Sequence, residues 1–436
     1  MAEPAIELDS TLEARISESV SRNLENQLEF IQALVRHPSV RGQEHTAQDF
    51  LFRQMKRRGL AMDRWQVDVD DIKSHPGYSP VTVDYSNAIN VVGTHRPREE
   101  TGKSLILNGH IDVVPVGPLD MWTNPPFEPH VDGDWLYGRG SGDMKAGIAA
   151  NLFALDALRS IGCQPAATVY VQSVTEEECT GNGALSALLR GYRADAAIIP
   201  EPMNDSLVRT SVGVIWFRVH VKGRPVHVAD ASSGANAIDA AAFLIGALKD
   251  FEAERNARKS EYPHFAQLDK PINVNVGKIE GGDWASSVPA WCSFDVRTGL
   301  YPGEDAHQGA REIEDFLRGA AGHHPFLSNN PPEVEFNGFM AEGYELPEGS
   351  DAEQTLAAAH RRVFQQELST VTSLAYLDGR VFVLYGETPC LVYGPVSSNI
   401  HGFDECVSIA SIERVTKTIA LYIAMWCGLE PATPGS

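Results

Sequence analysis

A histidine and an aspartate, His110 and Asp112, are the first residues whose types and spacing could support chemistry. They follow residues 104–108, which are predicted to form a strand, and so lie at its carboxyl end, where open α/β sheets bind ligands. Residues two apart on an extended chain face the same side, so the imidazole could bind a metal ion while the carboxylate orients it. A structural histidine would explain the pair equally well, and alone the pair is weak evidence.

An aspartate in a glycine-rich segment is the next candidate. Asp143 lies within residues 138–147, just before a predicted helix. Glycines there would let the backbone approach a ligand closely. An aspartate that only caps the helix is the alternative interpretation. The spacing of a phosphate-binding loop is absent from this segment, which disfavours a nucleotide site.

Three adjacent glutamates, Glu176, Glu177 and Glu178, follow the predicted strand 168–174. Neighbouring carboxylates repel each other unless a cation neutralises them. A solvated run of charge is the usual alternative, but it fits poorly between the end of a strand and a glycine-rich helix start. The triplet therefore favours a metal site.

Two further residues complete the set. Glu201 ends the predicted strand 194–200, and His401 lies in a loop before the last helix. With His110, Asp143 and one of the three glutamates, they make two histidines and three carboxylates at one edge of a predicted sheet. Such a donor set suits two divalent cations that share a bridging carboxylate.

The elements that must position these residues alternate between helix and strand. Helical spacing covers residues 11–35 and 44–58, and strands are predicted at 88–93, 104–108, 168–174 and 194–200. This alternation predicts a large α/β domain with a mostly parallel sheet.

Residues 213–338 follow a different pattern. Their predicted order is strand, helix, strand, strand, helix, strand, which indicates a smaller ferredoxin-like α+β domain. The predicted organisation is therefore a discontinuous domain of residues 1–212 and 339–436, interrupted by residues 213–338.

The motifs and their order resemble the zinc peptidases and deacylases that include aminoacylase, glutamate carboxypeptidase, acetylornithine deacetylase and succinyl-diaminopimelate desuccinylase. The resemblance spans about residues 20–427, and its signatures are HIDVVP, WTNPPFEP, GRGSGDMKAG, the glutamate triplet, IIPEP and NIHGFDE. It implies a hydrolase of an amide bond in a small N-acyl amino acid or peptide-like substrate. It also implies two divalent metal ions per chain. Zinc is the expected ion, with cobalt or manganese as alternatives.

The resemblance assigns roles by position. Asp143 would bridge the two metal ions, His110 and Glu201 would complete one site, and Glu178 and His401 would complete the other. Asp112 would orient His110. Glu177 would be the general base, and a shift of one position, with Glu176 as base and Glu177 as ligand, stays open as an alternative.

Residues of the inserted domain also acquire roles from the resemblance. His227 is similar to a histidine that reaches across a dimer to stabilise the oxyanion, so a homodimer is implied and residues 213–338 become a lid and dimerisation domain. Asn275 and Arg297 resemble substrate-binding positions, with a surface salt bridge as the alternative for Arg297. Gly394 could line the carboxylate end of the substrate or form a simple turn.

Composition limits the classes of partner. The 436 residues are enough for two domains, and the formal net charge of −22 argues against nucleic acid or anionic membrane. A secretory signal and a membrane span of about 18 apolar residues are both absent, so we expect a cytoplasmic protein. The six cysteines lack paired CxxC spacing and are predicted to be reduced.

The sequence is also compatible with other functions. A carboxypeptidase, a dipeptidase or a hydrolase of an aromatic amine or amide could use the same scaffold. A non-catalytic binding protein and a two-metal phosphoesterase are less compatible with a complete ligand set and few free cations. Residues 72–87 depart from the simple deacetylases and are predicted to cover the site.

Overall fold

The computed structural model describes residues 8–432, and its largest element is a six-stranded sheet. Four neighbouring strands are parallel, and two antiparallel strands extend one edge. Across the sheet, the strands are Ala61–Gln66, Ile89–His95, Val169–Ser173, Leu105–Leu107, Ala196–Ile199 and Cys390–Val392. The inner strands are almost entirely apolar and buried, as expected when both faces are covered. The predicted α/β fold with a mostly parallel sheet is confirmed.

Alternate residues of the strands enter two separate cores. Leu105 and Leu107 pack with helices on one face, whereas Ile106 belongs to a cluster on the other face. The α-helices of the large α/β part are Ser10–Arg22, Leu24–Val35, His45–Arg57, Val69–Ile72, Ala146–Ser160, Asn182–Leu189, Asp351–Phe364 and Ile409–Trp426. The apolar spacing predicted one helical stretch over residues 11–35. The structure instead has two helices that meet at Asn23, whose ψ of 3° departs from the helix.

Residues 213–341 form a second, fully antiparallel sheet. Its spatial strand order is Val274–Gly281, Trp291–Leu300, Gly213–Lys222 and Glu333–Ala341. Helices Ala237–Ala257 and Ala306–Gly322 pack on one face of this small sheet. Both the chain order and the strand order are those of a ferredoxin-like fold, as predicted. The last strand continues to Ala341, past the predicted domain limit at residue 338.

Smaller elements complete the chain. A three-stranded sheet contains Tyr344–Glu345, Leu207–Ser211 and Thr370–Ser373, and a four-stranded sheet contains Ser397–Ser398, Cys406–Ser408, Trp135–Tyr137 and His130–Asp132. Strands Leu429–Pro431 and Cys163–Pro165 form a pair. All six cysteines have free thiols. Within residues 8–432, no helix is both long and apolar enough to cross a membrane.

Candidate active site

The strand Leu105–Leu107 positions His110, which lies three residues after the end of this strand. Its Nδ1 lies 2.9 Å from the backbone carbonyl oxygen of Asp112 and 3.7 Å from the carboxylate of the same residue. A proton on Nδ1 leaves the Nε2 lone pair free to bind a metal ion. The carboxylate of Asp112 accepts the backbone N–H groups of Glu177 and Glu178 at 3.3 and 3.0 Å. Asp112 therefore joins the histidine to the glutamate loop.

Asp143 lies between the two predicted metal-binding histidines. Its Oδ1 is 3.1 Å from Nε2 of His110, and its Oδ2 is 3.3 Å from Nε2 of His401. Burial alone would raise the pKa of Asp143, but hydrogen bonds with both imidazoles hold that pKa well below its usual range. A carboxylate that presents one oxygen to each histidine has the geometry of a bridging ligand.

Two more carboxylates lie beside the histidines. Oε1 of Glu201 is 3.5 Å from Nε2 of His110, and the carboxylate of Glu178 is 3.2 Å from Nε2 of His401. Oε1 of Glu201 is buried and accepts no hydrogen bond from the described residues. Donor atoms of His110, Asp143 and Glu178 lie within 4.8 Å of one another. Imidazole and carboxylate donors this close together fit a divalent cation such as zinc.

The electrostatics of the cluster favour bound positive charge. Burial raises the pKa of Glu201 to about 8 and the pKa of Asp112 to about 6, because buried carboxylates lose their hydration. Burial also raises the pKa of Glu177 well above its ordinary value. The negative charge of Glu178 raises the pKa of His401 to about 11. A cation at this place would relieve the repulsion among the carboxylates.

The turn that carries Asp143 is held by Glu405, which the sequence analysis did not single out. The buried carboxylate of Glu405 accepts the backbone N–H groups of Gly140, Gly142 and Asp143 at 2.9, 3.0 and 3.1 Å. It also accepts a 2.6 Å hydrogen bond from Arg139. The sequence feature that could have pointed to Glu405 is its position at the end of the motif NIHGFDE, four residues after the predicted ligand His401.

The neighbouring glutamates Glu176 and Glu177 have different environments. Oε2 of Glu177 is 3.9 Å from Nε2 of His110, and Glu177 lines the adjacent cavity. Glu176 is buried, and Arg41 donates to its two oxygens at 2.6 and 2.7 Å. Tyr85 donates to it at 2.6 Å. The oxygens of Glu176 are engaged by these donors, whereas Glu177 is free to face the cavity, which favours Glu177 over Glu176 as the base.

A cavity of about 860 Å³ lies between this cluster and the small sheet. The predicted residues that line it are Asp143, Glu177, Glu178, Glu201, His401, Asn275 and Arg297. The guanidinium of Arg297 donates to the carbonyl oxygens of Leu374 and Asn273, at 2.6 and 3.5 Å, and it forms no ion pair with a carboxylate of residues 8–432. Burial lowers the pKa of Arg297 to about 10, which leaves it cationic at neutral pH. The salt-bridge alternative is therefore not observed for Arg297.

Two predicted site residues lie apart from the cavity. His227 is exposed, and its Nδ1 accepts the backbone N–H of Ala229 at 3.1 Å. Gly394 packs behind the cluster, where a Cβ atom would lie 2.2 Å from the carbonyl oxygen of Glu201. Glycine is required there because the backbone approaches so closely. In this chain, Gly394 supports Glu201 and does not line the cavity.

A segment near the carboxyl end of the chain was also missed by the sequence analysis. Tyr376 lines the cavity, and its hydroxyl donates to Oδ1 of the buried Asp378 at 2.9 Å. Burial raises the pKa of Asp378 to about 7. The buried Arg380 donates to Glu342 at 2.8 Å. An Asp-Gly-Arg sequence between apolar residues was the only visible signal.

The sequence comparisons identify hydrolases, which agrees with the residues found at this site. Residues 106–425 match peptidase family M20/M25/M40. The N-formyl-4-amino-5-aminomethyl-2-methylpyrimidine deformylase of Halalkalibacterium halodurans is 30% identical, over 95% of this chain and 97% of that protein. The succinyl-diaminopimelate desuccinylase of Dechloromonas aromatica is 26% identical, over 77% of this chain and 86% of that protein.

Comparisons of structure identify the same fold. The dipeptidase Dug1p of Saccharomyces cerevisiae matches with a TM-score of 0.80 at 14% identity, over 97% of this chain and 100% of that chain. Human carnosine dipeptidase 1 matches with a TM-score of 0.74 at 15% identity, over 95% of this chain and 99% of that chain. The chain therefore belongs to peptidase family M20/M25/M40, a family of metal-dependent hydrolases, and it is a hydrolase of amide bonds.

Proposed function

We propose that this hydrolase uses two divalent metal ions to cut the amide bond of an N-acyl amino acid or peptide-like substrate. The observation that carries the proposal is the carboxylate of Asp143, which directs one oxygen to His110 and the other to His401. Glu201 would complete the first site and Glu178 the second. Zinc is the ion that we expect, with cobalt or manganese as alternatives for the same donors.

The reaction would depend on Glu177 for proton transfer. Bound divalent ions would lower the pKa of water and polarise the substrate carbonyl. Glu177 lies in the cavity beside His110 and would accept a proton from the attacking water. It would then donate this proton to the nitrogen of the leaving amine. Burial has already raised the pKa of Glu177, which suits a residue that must hold a proton during turnover.

A pair of variants tests this assignment. Glu177→Gln should retain bound metal and lose activity by about 10²- to 10⁴-fold, because general acid–base catalysis contributes about that much. Glu176→Gln should lose no more than about tenfold, since Glu176 binds Arg41 and Tyr85 and affects only the position of the neighbouring base. The reverse pattern, with turnover lost only in Glu176→Gln, would move the base by one position.

The substrate carboxylate would bind at Arg297. This guanidinium lines the cavity without a carboxylate partner among residues 8–432, and Asn275 lies opposite it on the adjacent strand. A guanidinium can bind a carboxylate through two parallel hydrogen bonds. Arg297→Ala should therefore raise KM for a carboxylate substrate by about 10- to 100-fold.

A second candidate function is the deacylation of an aromatic amide that has no carboxylate. The relative that favours it is named as a deformylase of a substituted pyrimidine, and it covers nearly the whole chain at 30% identity. Arg297→Ala discriminates between the two candidates. Under the second, the variant should hydrolyse its best substrate with an unchanged KM.

We also propose that the protein is a homodimer in which His227 enters the site of the partner subunit. His227 is exposed and lies apart from the cavity of its own chain. The strand Val274–Gly281 is an edge of the small sheet, and Ile279 on this strand and Trp284 beyond it expose 54% and 74% of their surface. The unpaired backbone of an edge strand can pair with another chain, and the exposed side chains of Ile279 and Trp284 add apolar surface beside it. The lid role of residues 213–338 and a cytoplasmic location also stay predictions.

A further inference from the structure

Three aromatic side chains form a continuous wall along the cavity. Trp216, Phe339 and Tyr376 all line it. The rings of Trp216 and Phe339 meet edge to face with centroids 5.1 Å apart, and those of Phe339 and Tyr376 are 4.4 Å apart at 33°. We call these three residues the aromatic wall. None of them was assigned a role by the motifs of the sequence.

The aromatic wall adjoins the guanidinium of Arg297. Trp216 and Arg297 are directly paired on adjacent antiparallel strands, so their side chains lie next to each other on one face of the small sheet. Arg297 also donates to the carbonyl oxygen of Leu374, two residues before Tyr376. The Trp216 end of the wall is therefore next to the position where a substrate carboxylate would bind.

The opposite side of the wall faces the catalytic cluster. Tyr376 donates to Asp378, and it lines the same cavity as Glu177. Its hydroxyl also packs against Gly181, three residues after Glu178, where a Cβ atom would lie 1.8 Å from it. A group that contacts the wall would therefore lie between the guanidinium of Arg297 and the scissile amide.

The size of the cavity agrees with a substrate that fills this space. A volume of about 860 Å³ is near the upper end of the range for drug-sized ligands. Phe339 and Tyr376 are only 4% and 7% exposed, so the half-buried Trp216 supplies the open ring of the wall. A formyl or acetyl group on a small amino acid would leave this ring in contact with water. An aromatic ring packed on Trp216 would remove its exposed surface from water and gain favourable ring–ring contacts.

We propose that the amine half of the substrate carries an aromatic ring together with its carboxylate, as in an N-acyl aromatic amino acid or an N-acyl aminobenzoate. Both groups belong to the same half because Trp216 and Arg297 are direct neighbours. Hydrolysis would break the amide C–N bond, transfer the water oxygen to the acyl carbon and return a proton to the nitrogen. This inference rests on the proposed function of the same site.

The test compares three substrates with the full-length, metal-loaded enzyme. N-acetylphenylalanine carries both features, N-acetylalanine lacks the ring, and N-acetylphenethylamine lacks the carboxylate. We expect kcat/KM for N-acetylphenylalanine to exceed each of the others by about tenfold or more. Trp216→Leu should reduce the ratio of the phenylalanine to the alanine substrate toward one. Trp216→Phe should restore the greater part of this ratio. Trp65→Leu, a tryptophan outside the cavity, should leave it unchanged.

The possible failures are distinguishable. Equal rates for the phenylalanine and alanine substrates, or a ratio that Trp216→Leu does not change, would overturn the inference and leave the hydrolase assignment intact. Equal rates with and without the carboxylate would also overturn it, in favour of an uncharged aromatic amide. A metal-loaded enzyme that hydrolyses no amide substrate would contradict the proposed function itself.

Discussion

Glu405 shows how a residue outside the predicted ligand set can determine the position of a predicted ligand. Its carboxylate receives three backbone N–H groups from the turn that ends in Asp143, together with the guanidinium of Arg139. Residues that orient metal ligands commonly contribute 10- to 100-fold to metal affinity. The position of Asp143 between the histidines therefore depends on Glu405.

The prediction for this residue is a loss of metal affinity. Glu405→Gln replaces one of the two acceptor oxygens by an NH2 group, which can only donate. At least one backbone N–H of the turn therefore loses its partner. We expect the affinity for zinc to fall by about 10- to 100-fold in competition with a chromophoric chelator. The control is Asp404→Asn, because Asp404 binds Thr123 and not the turn. Equal affinities in the wild type and Glu405→Gln would contradict the role.

The five predicted ligands could be recognised from the sequence because each one follows a predicted strand or lies in a loop with a recognisable motif. His110, the glutamate triplet and Glu201 extend three parallel strands, and parallel strands end at one edge of a sheet. Glu405 and Asp378 could not be assigned in this way. Their roles depend on contacts between segments far apart in the chain, which local spacing does not encode.

At the scale of elements, residues 72–87 mainly hold residues around the glutamate loop in place. Only a small part of this segment covers the cavity. Thr82 and Val83 reach the cavity, whereas Ser79 exchanges hydrogen bonds with Asn182 at 3.1 and 3.0 Å. Tyr85 binds Glu176, which has a left-handed backbone with φ of 69°. A left-handed glutamate is unfavourable and must be held by its surroundings.

Removing one hydroxyl group from this segment tests its contribution. Tyr85→Phe deletes a 2.6 Å hydrogen bond to a buried carboxylate, and we expect it to lower the free energy of unfolding by about 1–3 kcal/mol. It should also lower kcat by about tenfold with an unchanged metal content, because Glu177 adjoins the loosened residue. Tyr192→Phe is a matched control, since Tyr192 donates to Asp63 away from the cavity. A loss of stability with full kcat would show that the segment does not position the base.

The elements themselves were largely predictable, and the differences have physical causes. Strand spacing identified the ferredoxin-like order of the small sheet because its apolar face alternates regularly. The break at Asn23 was missed because apolar spacing continues through both N-terminal helices. The predicted domain limit at residue 338 falls short of the end of strand Glu333–Ala341, because residues near Gly338 lack a clear alternation.

At the scale of the whole molecule, an acidic protein has cationic side chains in its cavity. The chain carries a formal net charge of −22, yet Arg218, Lys278 and Arg297 of the small sheet line the cavity, and Arg218 is paired with Asp295. A general negative charge gives no attraction to an anionic substrate, so a local guanidinium must supply it. The small sheet provides this cation, and the large sheet provides the catalytic cluster.

The proposed dimer leads to a complementation experiment. Glu177→Gln and His227→Ala should each be nearly inactive alone. A mixed dimer would contain one site with an intact Glu177 and the intact His227 of the partner subunit, so random mixing should restore about a quarter of wild-type activity. Activity that stays at the level of the separate variants after subunit exchange would contradict a shared site. So would a monomer in sedimentation analysis.

The most direct test of the central claim is metal content measured together with hydrolysis. Elemental analysis of the zinc-reconstituted protein should find about two ions per chain, and chelation should abolish cleavage of N-acetylphenylalanine and N-acetylalanine until metal is restored. A protein that binds no metal after reconstitution, or one that hydrolyses these amides equally well after complete chelation, would contradict the account.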